Sequence, residues 1–237
     1  MMTAPFCMEL AVEETDMKEI HASESLKVGF LLAFTGGLLD AYSYINRGQV
    51  FATAETGNIV LMGIHLAQMQ WDQVLHYLLP IVAFFVGVLA TDQLKKRMGQ
   101  REHTIHWRQP LLFLECVVVV IVAFLPTGAM DALANSMISF TSGIQVESFR
   151  KFRGCGCTTT MCTGNLRSGT EQLFYVMTHQ NQEALEKVKV YYGLIGFFIL
   201  GAICSGLLSM EFQTRTILVA CVPLLVACYL MFEGNQK

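Results

Sequence analysis

Residues 34–63 read FTGGLLDAYSYINRGQVFATAETGNIVLMG, and residues 140–169 read FTSGIQVESFRKFRGCGCTTTMCTGNLRSG. Laid over one another, the two stretches share Phe-Thr-x-Gly at 34–37 and 140–143, then Arg-Gly at 47–48 and 153–154. After a one-residue gap they share Thr-Gly-Asn at 56–58 and 163–165. Further on, AFFVGVLA (83–90) resembles GFFILGAI (196–203). The pattern predicts two related halves, 28–126 and 127–237, each with one helix, a Thr-Gly-Asn segment and two more helices. Internal repeats of this kind are frequent in transporter folds, where sites lie at the interface between the halves.

Working outward, the composition explains what these halves are built for. Of the residues, 53% are hydrophobic and 15% charged, against about 25% charged in soluble domains. The apolar residues gather in six runs, 28–46, 74–92, 109–126, 129–146, 190–210 and 216–232. Their lengths approach the roughly 20 residues that a helix needs to cross a ~30 Å hydrocarbon core. A membrane β-barrel would need alternation, and CVVVVIVAFL (116–125) has none. The fold class is therefore an all-α polytopic membrane bundle, with the lipid bilayer as its first partner. Residues 1–27 carry six acids and two lysines. Without a basic start or a small-residue cleavage site they read as a soluble acidic tail rather than a signal peptide. A net charge of −3 gives no footing for nucleic acid. Several of the eight cysteines sit inside apolar runs, where a thiol behaves as a small hydrophobe, so no disulfide framework is implied.

The Thr-Gly-Asn segments decide the topology. Residues 58–69 supply only about a dozen apolar-rich positions, a length typical of re-entrant segments. Residues 158–177 contain Arg167 and Glu171, which are costly against lipid. If all eight segments spanned, the basic residues would divide ten to five. If both Thr-Gly-Asn segments re-enter, Lys18, Lys27, the five basics from Lys95 to Arg108, Arg150, Lys151, Arg153, Lys187, Lys189 and Lys237 collect on one side. That is thirteen against two, Arg47 and Arg215, with Arg167 left in the membrane. Because cytoplasmic loops are enriched in lysine and arginine, the preferred expectation is six spans with both termini cytoplasmic and the halves inverted; eight spans is the alternative.

At GGLLDAYSYINRGQVFATAETGNIVLMG and again at TTTMCTGNL the chain resembles the YoaK family, bacterial multi-pass membrane proteins defined by a domain of unknown function. The likeness runs from about residue 28 onward. It is carried by Gly37, Asp40 and Ala41 with Thr56-Gly57-Asn58, and by Gly143 and Gln145 with Thr158-Thr159 and Thr163-Gly164-Asn165. The resemblance implies an inner-membrane protein with about six spans, and brings no reaction, substrate or cofactor with it. The sequence departs from the family's pattern at Val146 and Glu147, where an Asn-Ala pair usually stands, and at the Cys-Gly-Cys insert.

Thr-Gly-Asn before an apolar run is a helix-start signature in which threonine or asparagine caps and glycine admits a close neighbour. Its plain reading is a capped, tightly packed helix. The functional reading is that the two segments enter from opposite sides and bring their positive ends to one cavity, suited to an anion or a polar solute. On that reading the candidate substrate-binding residues are Asp40, Glu55, Thr56, Gly57, Asn58, Gln145, Glu147, Thr163, Gly164 and Asn165. The acids also admit a structural role, paired with Arg47, Arg153 or Arg167. Asp92 and Glu115 flank the basic loop and are expected near the interface.

Cys155, Cys157 and Cys162 form C-x-C-x₄-C, a spacing outside the usual structural-zinc patterns and with no nearby histidine, so they are weak metal candidates and no cofactor is expected. His65, His76, His103, His106 and His179 fall near helix ends or loops. Gly193, Gly196, Gly201 and Gly206 place small residues along 190–210, for packing within the chain or, alternatively, between two copies as a homodimer. Three functions follow in order: a small transporter or channel-like protein for an unknown small solute, a membrane protein with a cysteine-based metal or redox role, and a structural or regulatory membrane protein without flux.

Overall fold

The computed structural model describes residues 24–98 and 108–233. Most of the acidic tail, Cys7, His103 and His106 lie outside them. The described chain folds into α1 (Leu26–Asn46), α2 (Glu55–Ala67), α3 (Trp71–Met98), α4 (Arg108–Phe124) and α5 (Asp131–Ser148). A short β1 (Lys151–Phe152) and β2 (Cys155–Gly156) follow, then α6 (Cys162–His179), α7 (Gln182–Phe212), a 3₁₀ stretch (Gln213–Ala220) and α8 (Cys221–Glu233). The helical expectation holds. The Cys-Gly-Cys insert lies in a two-stranded antiparallel ribbon that pairs Lys151 with Gly156 and Phe152 with Cys155. Its two-residue loop, Arg153-Gly154, has φ of 48° and 74°, the positive φ at both positions that a type I′ hairpin turn demands.

Local signals start and stop several helices. Ser25 caps α1 by accepting from Val28 N at 3.4 Å, and Gly48 with φ 81° ends the helix, a conformation glycine adopts without steric cost. Asn181 caps α7, accepting from Glu183 N at 2.9 Å and Ala184 N at 3.2 Å. Three helical stretches are long and apolar enough to cross a membrane by length and composition: Leu26–Asn46, Trp71–Arg97 and Gln182–Glu233, the last running through α7, the 3₁₀ stretch and α8. The runs at 109–126 and 129–146 fall on α4 and α5, which have 17 and 18 residues. α5 carries Asn135, Ser139, Thr141, Ser142 and Gln145, all buried; facing inward, it has less need of apolar residues.

The core is apolar, as in a water-soluble domain, but so is much of the surface, and many polar side chains are buried. Leu75, Leu79, Val82, Phe85 and Leu89 of α3, and Ile199, Leu200, Ile203, Leu207 and Met210 of α7, are exposed, while Thr35, Ser43, Asn58, Asn135, Ser139 and Ser205 are buried. Soluble monomers rarely show continuous apolar surfaces of this kind. Lipid tails cover them at no cost.

Two helix crossings hold the bundle together. α1 packs on α7 with Gly37 against the backbone of Phe198 and Gly201 against the backbone of Phe34. α3 packs on α5 with Gly87 against Phe140 and Gly143 against Phe84. Each crossing thus sets a glycine of one helix on the carbonyl of a phenylalanine three residues before the other's glycine. Such glycine-to-backbone approach lets dispersion act over a long seam, the main source of helix association where lipid is as apolar as the protein. The structure matches Phe84 and Gly87 with Phe198 and Gly201, one residue out from the register in which AFFVGVLA lies over GFFILGAI. Of the glycine stripe on α7, Gly193 meets the Phe30 ring and Gly201 meets α1, whereas Gly196 and Gly206 have nothing within 4 Å of an added Cβ.

Polar contacts define the two ends. At one, Arg108 pairs with Glu24 (3.8 Å), Lys95 with Glu147, and Arg153 with Glu186 (3.8 Å), so the starts of α1, α4 and α7 meet the ends of α3 and α5. At the other, Asn46 Nδ2 donates to Ser209 Oγ at 2.9 Å, Arg47 pairs with Asp131 at 3.1 Å and His76 Nε2 lies 2.8 Å from Gly48 O. Between these ends, residues 47–54 fold back along α1: Thr53 N donates to Asp40 Oδ1 at 2.7 Å and Thr53 Oγ1 to Gly36 O at 3.5 Å. α2 therefore begins inside the bundle and runs outward to where α3 starts. With 13 residues it is only about 20 Å long. α6 also begins inside, since Thr160 lies against Gly36, and returns beside α7, where Thr170 Oγ1 meets Tyr192 OH at 3.1 Å.

Candidate functional site

The starts of α2 and α6 meet at a half-open cavity of about 570 Å³, with buried Asp40, Thr53 and Thr160 in its wall and exposed Thr56, Met161 and Thr163 at its rim, within the usual range for small-ligand sites. Asp40, Glu55, Thr56, Gly57, Thr163 and Gly164 all line it. Six of the ten expected site residues are thus brought together. The lining is completed by Phe51, Thr53, Ala54, Phe84, Thr160, Met161, Cys162 and Phe198, and contains no lysine, arginine or histidine.

Both helices present bare N-termini to this space. The residues before them are Ala54 and Met161, and neither makes a side-chain cap. This corrects the capping expectation: Thr56 and Thr163 sit in the first helical turn rather than ahead of it. The unpaired N–H groups of a first turn carry the positive end of the helix dipole. Asp40 is 5% exposed, and its carboxylate receives the Thr53 N–H; it has no ion pair among the described residues. Glu55 Oε2 accepts from Asn58 Nδ2 at 2.7 Å. Ser139 of α5 approaches the same carboxylate, yet neither Glu55 Oε1 nor Ser139 Oγ has a partner in hydrogen-bonding geometry. Thr160, 4% exposed, also lines the cavity with an unpartnered Oγ1.

The other four expected residues face elsewhere. Asn58 Oδ1 accepts from Phe51 N at 3.0 Å and its Nδ2 donates to Phe51 O at 2.6 Å, locking the loop ahead of α2. Asn165 Nδ2 donates to Thr158 O at 2.7 Å, seven residues back as in the first segment. Asn58 thus satisfies both the N–H and the C=O of Phe51, whereas Asn165 satisfies only the Thr158 carbonyl. Glu147 pairs with Lys95 and, at 3.3 Å, with Arg150. Gln145 lies between Thr159 and Glu115. In the amide orientation that satisfies both neighbours it donates to each Glu115 oxygen at 2.9 Å and accepts from Thr159 Oγ1 at 3.1 Å.

Glu115 corrects the sequence reading, which puts it near the interface beside Asp92. It is 2% exposed, because α4 turns that face onto α5. Asp92 alone is exposed, 3.7 Å from Lys95. The pairings expected for the acids also differ. Arg47, wholly buried, donates to Tyr42 Oη (2.9 Å), Asp131 (3.1 Å) and the carbonyls of Val122 (2.8 Å), Leu125 (2.9 Å) and Pro126 (3.1 Å). It caps the end of α4 and closes one end of the bundle. Arg153 binds Glu186, and Arg167 lies in an outward groove with Glu171 and Phe174.

The three cysteines of the ribbon region separate. Cys155 and Cys157 are buried in the ribbon while Cys162 lines the cavity, and no three His, Cys, Asp or Glu side chains converge among the described residues. Burial pushes the Cys155 thiol up and the Cys157 thiol up to about 12, which disfavours the thiolate that binds metal. Among the histidines, half-buried His65 meets Gln70 at 2.6 Å and exposed His179 meets Thr178 at 2.7 Å.

Of the lining residues that sequence reasoning passed over, Phe84 and Phe198 had a signal, since both lie in the recurring AFFVGVLA and GFFILGAI segments. Thr160 had none, because a threonine in a run of three carries no mark of which one faces inward.

Comparison with known proteins agrees with the membrane reading. The model of a family described as protein of unknown function, DUF1275, matches residues 28–230. The UPF0700 transmembrane protein YoaK of Bacillus subtilis (strain 168) is 28% identical over 221 residues, which cover 87% of this chain and 92% of that protein. No solved structure matches the chain.

Proposed function

Because the chain belongs to the DUF1275 family of proteins of unknown function, we propose, from its geometry, that it is a small transporter or channel-like membrane protein whose solute site is the cavity between α2 and α6. The observation that carries this reading is that two short helices from separate parts of the chain begin, uncapped, at one half-open cavity whose floor holds two carboxylates. Interrupted helices whose ends meet a polar site inside the membrane are a recurrent way to bind solutes there.

The membrane arrangement we propose has six spans, α1, α3, α4, α5, α7 and the 3₁₀–α8 stretch, in two inverted halves. The matching glycine crossings α1·α7 and α3·α5 support the pairing of one half's first helix with the other half's third. α2 and α6 are re-entrant from opposite sides. The end bearing Lys95, Arg108, Arg150, Lys151, Arg153, Lys187 and Lys189 faces the cytoplasm with both termini, in a bacterial inner membrane, as the positive-inside bias favours.

Labelling by a membrane-impermeant maleimide tests the topology. Single cysteines at Gly48 and Gln68 react from the same, extracytoplasmic face, and those at Gly154 and Gln180 only after the cytoplasmic face is opened. Reaction of the Gly48 and Gln68 positions from opposite faces would show α2 to cross, and the same at Gly154 and Gln180 would show α6 to cross, giving eight spans and removing the shared cavity. Solute-driven swelling of proteoliposomes, present with the intact chain and absent when Gly57 and Gly164 are both changed to tryptophan, tests the flux; equal swelling for the two would refute it.

A further inference from the structure

The lining of the cavity specifies a charge and a chemical class. Resting on the proposal that this cavity is the solute site, we propose that it binds an organic ammonium ion, a protonated amine on a small apolar body, with Asp40, Glu55 and Thr160 receiving the ammonium and Phe51, Phe84 and Phe198 enclosing the remainder.

Three observations converge on this class. First, the cavity holds two carboxylates and no basic side chain. Each helix start contributes the equivalent of about half a positive charge, so two of them offset about one carboxylate and leave the other uncompensated. The bare helix ends, taken alone, favour an anion; Asp40 and Glu55 reverse that sign.

Secondly, polar atoms in the wall lack partners. Thr160 Oγ1 is buried without a hydrogen bond, Glu55 Oε1 has only Ser139 nearby and not in bonding geometry, and the Asp40 carboxylate is met by Thr53 and the Ala54 N–H but by no cation among the described residues. Carboxylate oxygens only accept, and a threonine hydroxyl is free to accept once its proton turns away. A primary ammonium offers three donors and no acceptor, the complement of this set. A carboxylate or phosphate solute would instead meet two like charges at short range.

Thirdly, three phenylalanines stand in the remaining wall, beside small and polar residues. Phe51 precedes α2, while Phe84 and Phe198 stand at the two helix crossings, so their backbones are held by the tightest packing in the molecule. Phenylalanine faces attract cations through the ring quadrupole and also accommodate an apolar body.

Binding to the full chain in detergent micelles tests the assignment with 2-phenylethylammonium, phenylacetate and 2-phenylethanol as cationic, anionic and neutral probes of similar shape. Two signals are read: the shift in thermal unfolding, since a ligand that binds the folded state raises its stability, and protection of Cys162, which lines the cavity, from alkylation measured on its peptide by mass spectrometry. The cation is expected to raise the midpoint and protect Cys162, and the other two to do neither. Asp40→Asn keeps an acceptor for Thr53 N–H and is expected to weaken the cation at least about tenfold, a change of about 1.4 kcal/mol. Glu55→Gln and Thr160→Val provide the same reading if Asp40→Asn fails to fold.

Protection by phenylacetate equal to that by the ammonium, cation binding unchanged in the folded variants, or no response to the cation would each overturn the assignment. Uptake of labelled probe into proteoliposomes separates the two proposals. Ammonium binding without uptake leaves the site standing and removes transport, and uptake of phenylacetate without ammonium binding does the reverse.

Discussion

Replacing Gly37 by alanine tests the packing on which the cavity depends. A Cβ at this position would sit on the Phe198 carbonyl oxygen and 2.7 Å from its carbon, where carbon atoms normally rest about 3.5–4.0 Å apart. The obstacle is backbone in the middle of α7, so no rotamer change relieves it, and α1 must back away by about 1 Å. A gap of 0.5–1 Å already forfeits a quarter to a half of each atomic attraction across the seam, and overpacking of a closed core costs about 1–3 kcal/mol. With a seam running from Gly193 at Phe30 to Ser209 at Asn46, the upper part of that range applies, about 2–3 kcal/mol. For a chain of this size it corresponds to a fall of about 5–10 °C in the unfolding midpoint. Gly196→Ala on the same helix meets nothing within 4 Å and is expected to be neutral or stabilising by up to about 1 kcal/mol. Gly201→Ala strikes the Phe34 backbone at the same crossing; once the helices have parted for one alanine, the second costs less. The Gly37→Ala/Gly201→Ala pair is therefore expected to be sub-additive, and Gly37→Ala with Gly143→Ala, at the separate α3·α5 crossing, additive within about 0.5 kcal/mol. Thermal unfolding in one detergent, followed by size-exclusion chromatography of the surviving fold, reads all of these. Equal midpoints for Gly37→Ala and Gly196→Ala would refute the reasoning.

Other perturbations follow from the buried polar contacts. Arg47→Ala leaves three carbonyls and the Asp131 carboxylate without their donor and is expected to cost about 3–5 kcal/mol; Arg47→Lys, whose three donors cannot reproduce the planar fork, recovers little of the midpoint in the same unfolding assay. Asn58→Ala breaks bonds to both Phe51 N and Phe51 O and is expected to destabilise by about 1–3 kcal/mol, more than Asn165→Ala, which loses one bond to Thr158 O; a larger effect at Asn165 would count against the loop-locking role. Cys157, pushed up to about 12 by burial, remains almost entirely thiol at pH 8, so iodoacetamide should label it far more slowly in the native protein than in detergent-denatured chain. The native rate should climb as pH rises toward that value until unfolding intervenes, and a native rate at pH 8 equal to the denatured one would show the ribbon to be open.

Much of the site was legible before any coordinates. Both Thr-Gly-Asn segments were readable as helix starts, and Asp40, Glu55, Thr56, Gly57, Thr163 and Gly164 were readable as their company. What failed was direction. Asn58 and Asn165 fold the preceding loop, Gln145 turns to Glu115, and Glu147 turns to Lys95. In a soluble helix the polar face announces itself against an apolar one. Here the outward face is apolar against lipid and the inward face mixes apolar side chains with Thr35, Ser43 and Ser205, so α1 and α7 carry no amphipathic stripe from which a side chain's bearing could be read.

The sequence by itself determined the class of the molecule: its apolar runs, their length and their scarcity of charge are local sums that need no partner, and they require helices in a bilayer. Of the Thr-Gly-Asn glycines expected to admit a close neighbour, Gly57 meets the Phe51 ring while Gly164 has nothing within 4 Å of an added Cβ. Tertiary structure decided which carboxylates share a cavity and which find a cation, which glycines of α7 touch a neighbour, and that Glu115 is interior. These depend on how a helix is rotated about its axis. That rotation is set by the fit of Gly37 and Gly201 against opposing backbone, a contact between residues more than 160 positions apart that no local property of either stretch contains.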